Sequence, residues 1–164
     1  MSINQKNRKG FTIIEVVLVL AIAGLIFLMV FIALPALQRS QRDTQRKNDV
    51  SRIMTQLTSY SSNNRGSIPD TDKFYTASGF IEKYLDGALT QTGEGYKDPT
   101  TGEGYKAVTA DLSTTEGVIG NIYYEKGKIC GDDGGLIGGS QRQYAIQIIL
   151  EGQSAKTPYC SDNR

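Results

Sequence analysis

Glu15 is a lone carboxylate in KGFTIIEVVLVLAIAGLI, where the only other strongly polar side chain between Phe11 and Leu37 is Thr12. A charge costs on the order of 3 kcal/mol at the centre of a bilayer and less towards its edge, so a carboxylate here needs a partner or water. The neighbouring residues supply a partner by one reaction. Hydrolysis of the amide between Gly10 and Phe11 leaves an ammonium group on Phe11. Glu15, four residues on, then lies one helical turn away, near the positive end of the helix dipole. In a single chain the carboxylate meets its own terminus; in a bundle of staggered helices it meets a neighbour's. Two other readings fit part of the same stretch. An ordinary signal anchor tolerates Glu15 because head groups and water reach the end of a span. A cleaved secretory signal would use Lys6, Arg8 and Lys9 as its basic region and Ala21-Ile22-Ala23 as its cleavage site. That cut leaves Gly24 to Leu37 as an apolar mature terminus, which argues against it.

Elsewhere the chain is poor in reactive groups. It has no His, which removes the usual general base and the commonest metal ligand, and two Cys are too few for a zinc site. Cys130 and Cys160 read as one disulfide, which requires an oxidising compartment. Neither cysteine has a plausible base beside it and no nucleophile motif occurs, so the expectation is a non-enzyme with no cofactor. Asp132 and Asp133 in GDDGG invite a calcium reading, but adjacent carboxylates lack the alternating ligand spacing of a calcium loop, and a flexible turn is preferred. TGEGYK occurs at 92–97 and again at 101–106; neither copy ends in the Gly-Lys-Ser/Thr of a phosphate loop, and two turns are expected instead. A net charge of +1 gives no global attraction to polyanions. Arg39, Arg42, Arg46, Lys47 and Arg52 outnumber Asp43 and Asp49 locally, which could serve anionic head groups or DNA. A solvated helix face with spaced pairs such as Asp43 with Lys47 accounts for them more simply.

These groups must be positioned by a few elements. The 164 residues, 39% hydrophobic, suffice for one compact domain and one appended segment. Ile13 to Leu37 exceeds the roughly 20 apolar residues that cross a bilayer. Gly24 and Pro35 bracket LIFLMVFIAL inside that run and weaken or bend a helix. Beyond it, Val50, Ile53, Met54, Leu57 and Tyr60 follow helical spacing and form one apolar stripe. NNRG at 63–66 supplies a C-cap glycine. The whole element is then one helix of about 50 residues, roughly 75 Å at 1.5 Å per residue. Residues 66–103 read as loop with a short helix from Ser78 to Leu85. Strands are expected at Tyr105–Thr109, Val118–Glu125, Lys128–Cys130 and Gln143–Leu150. The last carries Tyr144, Ile146, Ile148 and Leu150 on one face, and Lys126-Gly127 suits a tight hairpin. Four antiparallel strands on the amphipathic half-helix bury both apolar faces, an α+β fold.

The basic leader, the Gly10-Phe11 junction, Glu15 and the uninterrupted apolar run together resemble the processing motif of type IV pilins and the related pseudopilins. The resemblance is strong over residues 8 to 37 and weak over the rest. It implies a pilin fold with residues 1–10 as a leader, 11–37 as the membrane and filament-core half of the helix, and 38–65 as the amphipathic half. Residues 66–103 are then the αβ-loop, with KDPTTGEGY as an Asp-Pro turn into the first strand, and 104–164 the sheet and disulfide-bounded loop. It also implies cleavage between Gly10 and Phe11 and methylation of Phe11 by a prepilin peptidase, pairing of Glu15 with the Phe11 amine of an adjacent subunit, and Gly24 and Pro35 as points of helix flexibility. Loss of Lys6, Arg8 and Lys9 takes the side-chain balance from +1 to −2. The implied function is that of a structural subunit, a major pilin, polymerising for adhesion, twitching motility or DNA uptake. Its partners are copies of itself, the inner-membrane assembly machinery and, before assembly, the membrane; nucleic acid as a ligand has no support in the residues. The precursor is a single-pass membrane protein and the product an extracellular pilus. A pseudopilin of a secretion or competence system shares every feature, and a membrane-anchored ligand-binding domain is the remoter alternative.

Overall fold

The structure, a computed structural model, describes residues 10–75, 79–85, 95–108, 112, 117–152 and 158–164. Helix α1 spans Ile13–Asn63 and carries Pro35 inside it. The chain divides into two units at Gln38/Arg39. In the first, the apolar side chains of α1 are exposed, from Ile13 and Phe27 to Phe31 and Leu37. In the second, Val50, Ile53 and Leu57 are fully buried and Met54 and Tyr60 pack beside them, the stripe expected from their spacing. Each such Ile or Leu contributes about 1.5–3 kcal/mol on burial.

Helix α1 ends as the NNRG signal requires, with one difference. Arg65 adopts the left-handed conformation (φ +55°) ahead of Gly66 (φ +79°). The Gly66 amide then reaches back to the Ser61 carbonyl at 2.8 Å, the longer of the two bonds of a Schellman ending. The segment beyond holds helices α2 (Thr71–Tyr75) and α3 (Phe80–Tyr84). Helix α3 lies within the expected Ser78–Leu85, of which Ser78 is outside the described residues; α2 was not foreseen.

The strands are β1 (Lys106–Val108), β2 (Asn121–Lys126), β3 (Lys128–Cys130), β4 (Leu136–Gly138), β5 (Tyr144–Ile148) and β6 (Tyr159–Asp162). Four of them form one sheet in the order β1-β2-β5-β6, packed against the second half of α1. The α+β, pilin-like architecture is therefore present, but the expected strand set needs three corrections. First, β1 pairs with β2 in parallel, so the sheet is not wholly antiparallel. Second, β6 occupies an edge assigned to no strand, and β3 leaves the sheet to pair with β4. Third, Gly127 (φ +75°) is not the turn of a β2–β3 hairpin, because those strands do not pair. It is the bend in a longer hairpin, β2-β3 going out and β4-β5 returning. The Gly127 amide donates to Gln143 and its carbonyl accepts from Gly139 across that bend. GDDGG is the turn at the far end. Expected boundaries also moved: β2 begins at Asn121 rather than Val118, and Thr109 lies outside the described residues.

Both faces of β5 are buried, not one. Tyr144, Ile146 and Ile148 join the core under α1, together with Ile122 and Tyr124 of β2. On the other face Tyr123 packs with Leu112 and Ile149. Gln147 there is covered by the β3-β4 turn and donates to the Gly134 carbonyl at 2.6 Å. Strand β1 covers only three residues of β2, and the Tyr75 hydroxyl takes over beyond it. That hydroxyl accepts from the Tyr124 amide (2.7 Å) and donates to the Tyr124 carbonyl (2.9 Å), so this edge of β2 has no open backbone group there.

Candidate functional site

Gly10, Phe11 and Thr12 precede the first helical residue, so the Gly10–Phe11 amide lies outside the helical hydrogen-bond ladder. Phe11 is 84% exposed. Lys6, Arg8 and Lys9 lie outside the described residues. The Thr12 carbonyl accepts the amides of Glu15 (3.1 Å) and Val16 (3.3 Å), which fixes Glu15 in the first turn. There its carboxylate lies at the positive end of the helix, 3.5 Å from the Thr12 hydroxyl that donates to it.

Behind this turn the large apolar side chains of the run, from Val16 to Leu37, are exposed among the described residues. An added Cβ at Gly24 would meet nothing within 4 Å, so packing within this chain does not require a glycine there. Pro35 has no amide to offer the Phe31 carbonyl four residues earlier, yet helix α1 continues through it. A helix with this length of unburied apolar surface is stable only in lipid or against other apolar helices. It is long and apolar enough to cross a membrane.

The sequence reading missed a second constellation. Arg46, read as part of a solvated face, is 1% exposed, and Asp98 beneath it is 0% exposed. Arg46 Nε and Nη2 hold the two Asp98 oxygens at 2.6 and 3.2 Å. Its Nη1 donates to Asp43 (2.9 Å), and the two hydrogens of Nη2 are shared among Asp98, Thr100 (2.6 Å) and Glu151 (3.0 Å). The Thr100 hydroxyl also donates to Glu151, which forms a bidentate pair with Arg42 at 2.7 and 2.5 Å. Asp43 accepts the backbone amides of Glu151 and Gly152. Asp43 thus pairs with Arg46 rather than with Lys47, which instead lies over the Tyr159 ring.

Asp98 is presented by the KDPTTGEGY turn, closed by Asp98–Glu103 and Asp98–Gly102 backbone bonds and followed directly by β1. Burial pushes the Asp98 carboxyl up, but Arg46 and the amides of Thr100 and Thr101 more than offset it and hold it below the usual carboxylate range. The Arg42 hydrogen bond leads in pulling Glu151 down to about 2. The cluster therefore remains charged and ties α1 to two loops.

A disulfide joins Cys130 on β3 to Cys160 on β6, stapling the two-stranded ribbon to the edge of the main sheet. The Asp162 carboxylate accepts the Cys130 amide and the Arg164 guanidinium donates to the Cys130 carbonyl, so the C-terminus closes over the same strand. At the ribbon tip Asp133 accepts the Gly135 amide at 3.0 Å, a local turn bond. Among the described residues no three His, Cys, Asp or Glu side chains gather as a metal site.

No curated protein and no solved structure matches the chain. The model of the prokaryotic N-terminal methylation motif does match, over residues 5–31. Those residues include the Gly10–Phe11 amide ahead of the helix, the carboxylate in its first turn and the exposed apolar run behind them. The match supports a type IV prepilin-like protein.

Proposed function

We propose that this chain is the structural subunit of a type IV pilus, a major pilin, and not an enzyme. A prepilin peptidase hydrolyses the Gly10–Phe11 amide and methylates the new Phe11 amine. The apolar half of α1 holds the subunit in the membrane until the assembly machinery transfers it to a filament, where the same surface packs on neighbouring copies and the disulfide-stapled sheet faces outward. Glu15 then meets the Phe11 ammonium of an adjacent subunit. An unpaired carboxylate in an apolar core is costly, so a partner that arrives only in register favours correct docking.

The observation that carries this reading is Glu15 in the first turn of an apolar helix half whose side chains are exposed among the described residues. Mass spectrometry of the protein from its native cell should find a chain beginning at methylated Phe11; a chain retaining Met1 or beginning at Gly24 would remove the reading. Glu15→Ala should be processed normally but yield few sheared fibres in electron microscopy, and normal fibre yield would refute the pairing role. Short stubs in place of long surface fibres would point to the pseudopilin alternative.

A further inference from the structure

At the end of α1 a groove of about 260 Å³ is lined by Arg65, Lys126 and Arg142, with Ser67 and Gln141 between them. The three cations come from three places in the fold: the helix ending, the last residue of β2, and the loop before β5. Arg65 and Arg142 have no ion pair among the described residues, and both are exposed. Lys126 shares its charge with Asp70 at 2.7 Å, itself half open to solvent. No carboxylate belongs to the lining.

Arg65 is also the one non-glycine residue with positive φ among those described. An arginine there carries a backbone strain that glycine would not, and such outliers collect at sites where a side chain has a task. The ending itself does not need the guanidinium, because the backbone bond from Gly66 to Ser61 closes it.

We propose that this groove is an oxyanion site that takes a phosphate group. Two guanidinium forks match the oxygen pairs of a phosphate, Lys126 adds a point charge, and the Ser67 hydroxyl and Gln141 amide add neutral donors. The lining has no aromatic ring, so the site offers no platform for stacking a base and would read phosphate alone. The proposal is independent of filament formation, since none of these residues lies in the apolar half of α1.

The test uses the full-length chain in a non-ionic detergent, with titration calorimetry against inorganic pyrophosphate and fluorescence anisotropy against a short labelled DNA duplex. Arg65→Gly is the informative variant, because glycine suits φ +55° and the melting temperature should hold or rise while binding falls. Arg65→Gly and Arg142→Ala should each weaken pyrophosphate roughly tenfold, the loss of one charge-assisted contact. Lys106→Ala, on the exposed edge of β1, should leave it unchanged. Duplex binding whose salt slope falls by roughly 1 per arginine removed supports the site with a polymer backbone as the source of the phosphate. Pyrophosphate binding without duplex binding supports it with a free phosphate as the source. No pyrophosphate binding by the parent chain, or undiminished binding by a variant carrying both Arg65→Gly and Arg142→Ala, overturns it.

Discussion

Replacing Arg46 with methionine tests the buried cluster directly. The side chain makes five polar contacts, to Asp98 twice and to Asp43, Thr100 and Glu151 once each, three of them shared by the two hydrogens of Nη2. Not all the acceptors suffer equally. Glu151 keeps Arg42, and Asp43 keeps the amides of Glu151 and Gly152. Asp98 keeps only the amides of Thr100 and Thr101 and stays fully buried. The cost is therefore that of one stranded buried carboxylate, about 3–5 kcal/mol. At roughly 4 °C per kcal/mol for a domain of this size, the melting temperature should fall by on the order of 10–20 °C. The assay is thermal or urea unfolding of the detergent-solubilised full chain, followed by near-ultraviolet circular dichroism of its tyrosines. Adding Asp98→Asn to Arg46→Met should recover a large part of the loss, because the charge that lacked a partner is gone. Without its cation Asp98 also takes a proton more readily in the folded state than in the unfolded one. The deficit of the single variant should then shrink as pH falls. A loss below about 1 kcal/mol, the value of an exposed ion pair, with no recovery in the double variant, would refute the assignment of a buried clamp.

Three further outcomes follow from local geometry. Glu151 is depressed to about 2 in the folded state, so its contribution is complete above the ordinary carboxylate pKa and disappears as pH falls towards 2; unfolding midpoints should decline through that window, and less steeply in Glu151→Gln, where Asp98 still titrates. Reducing Cys130–Cys160, or replacing both with serine, should cost roughly 3–4 kcal/mol for a 30-residue separation, read as a lower urea midpoint. Gly134 has φ +77°, and a Cβ there would sit 2.3 Å from the Pro158 carbonyl oxygen. Gly134→Ala should destabilise by about 1–3 kcal/mol, while Gly66→Ala, whose Cβ meets nothing, should show the positive-φ penalty alone.

Much of the helix was legible because its signals are local. The apolar run, Glu15 ahead of it, the stripe from Val50 to Tyr60 and the NNRG ending each depend on neighbours within a turn or two. The strands were less so. Tyr144, Ile146 and Ile148 announce β5 by alternation, but β4 and β6 are three and four residues long, too short for a period-two pattern; β3, as short as β4, was legible only through the Lys126-Gly127 turn signal beside it. Pairing partners were not legible at all. Nothing in Lys126-Gly127 distinguishes a hairpin turn from a bend within a longer hairpin, since glycine with positive φ suits both.

Sequence alone determined the part of the protein whose solvent is outside the chain. An apolar run whose side chains are exposed among the described residues, with Gly10, Phe11 and Glu15 at its start, states its chemistry in residues that are consecutive or one turn apart. Only tertiary structure decided the fate of Arg46. Its neighbours along α1 are polar and mostly exposed, and its principal partners, Asp98 and Glu151, lie 52 and 105 residues away. A charge is buried or solvated according to what the chain brings against it, and that is a property of the packed fold, not of the helix that carries the residue.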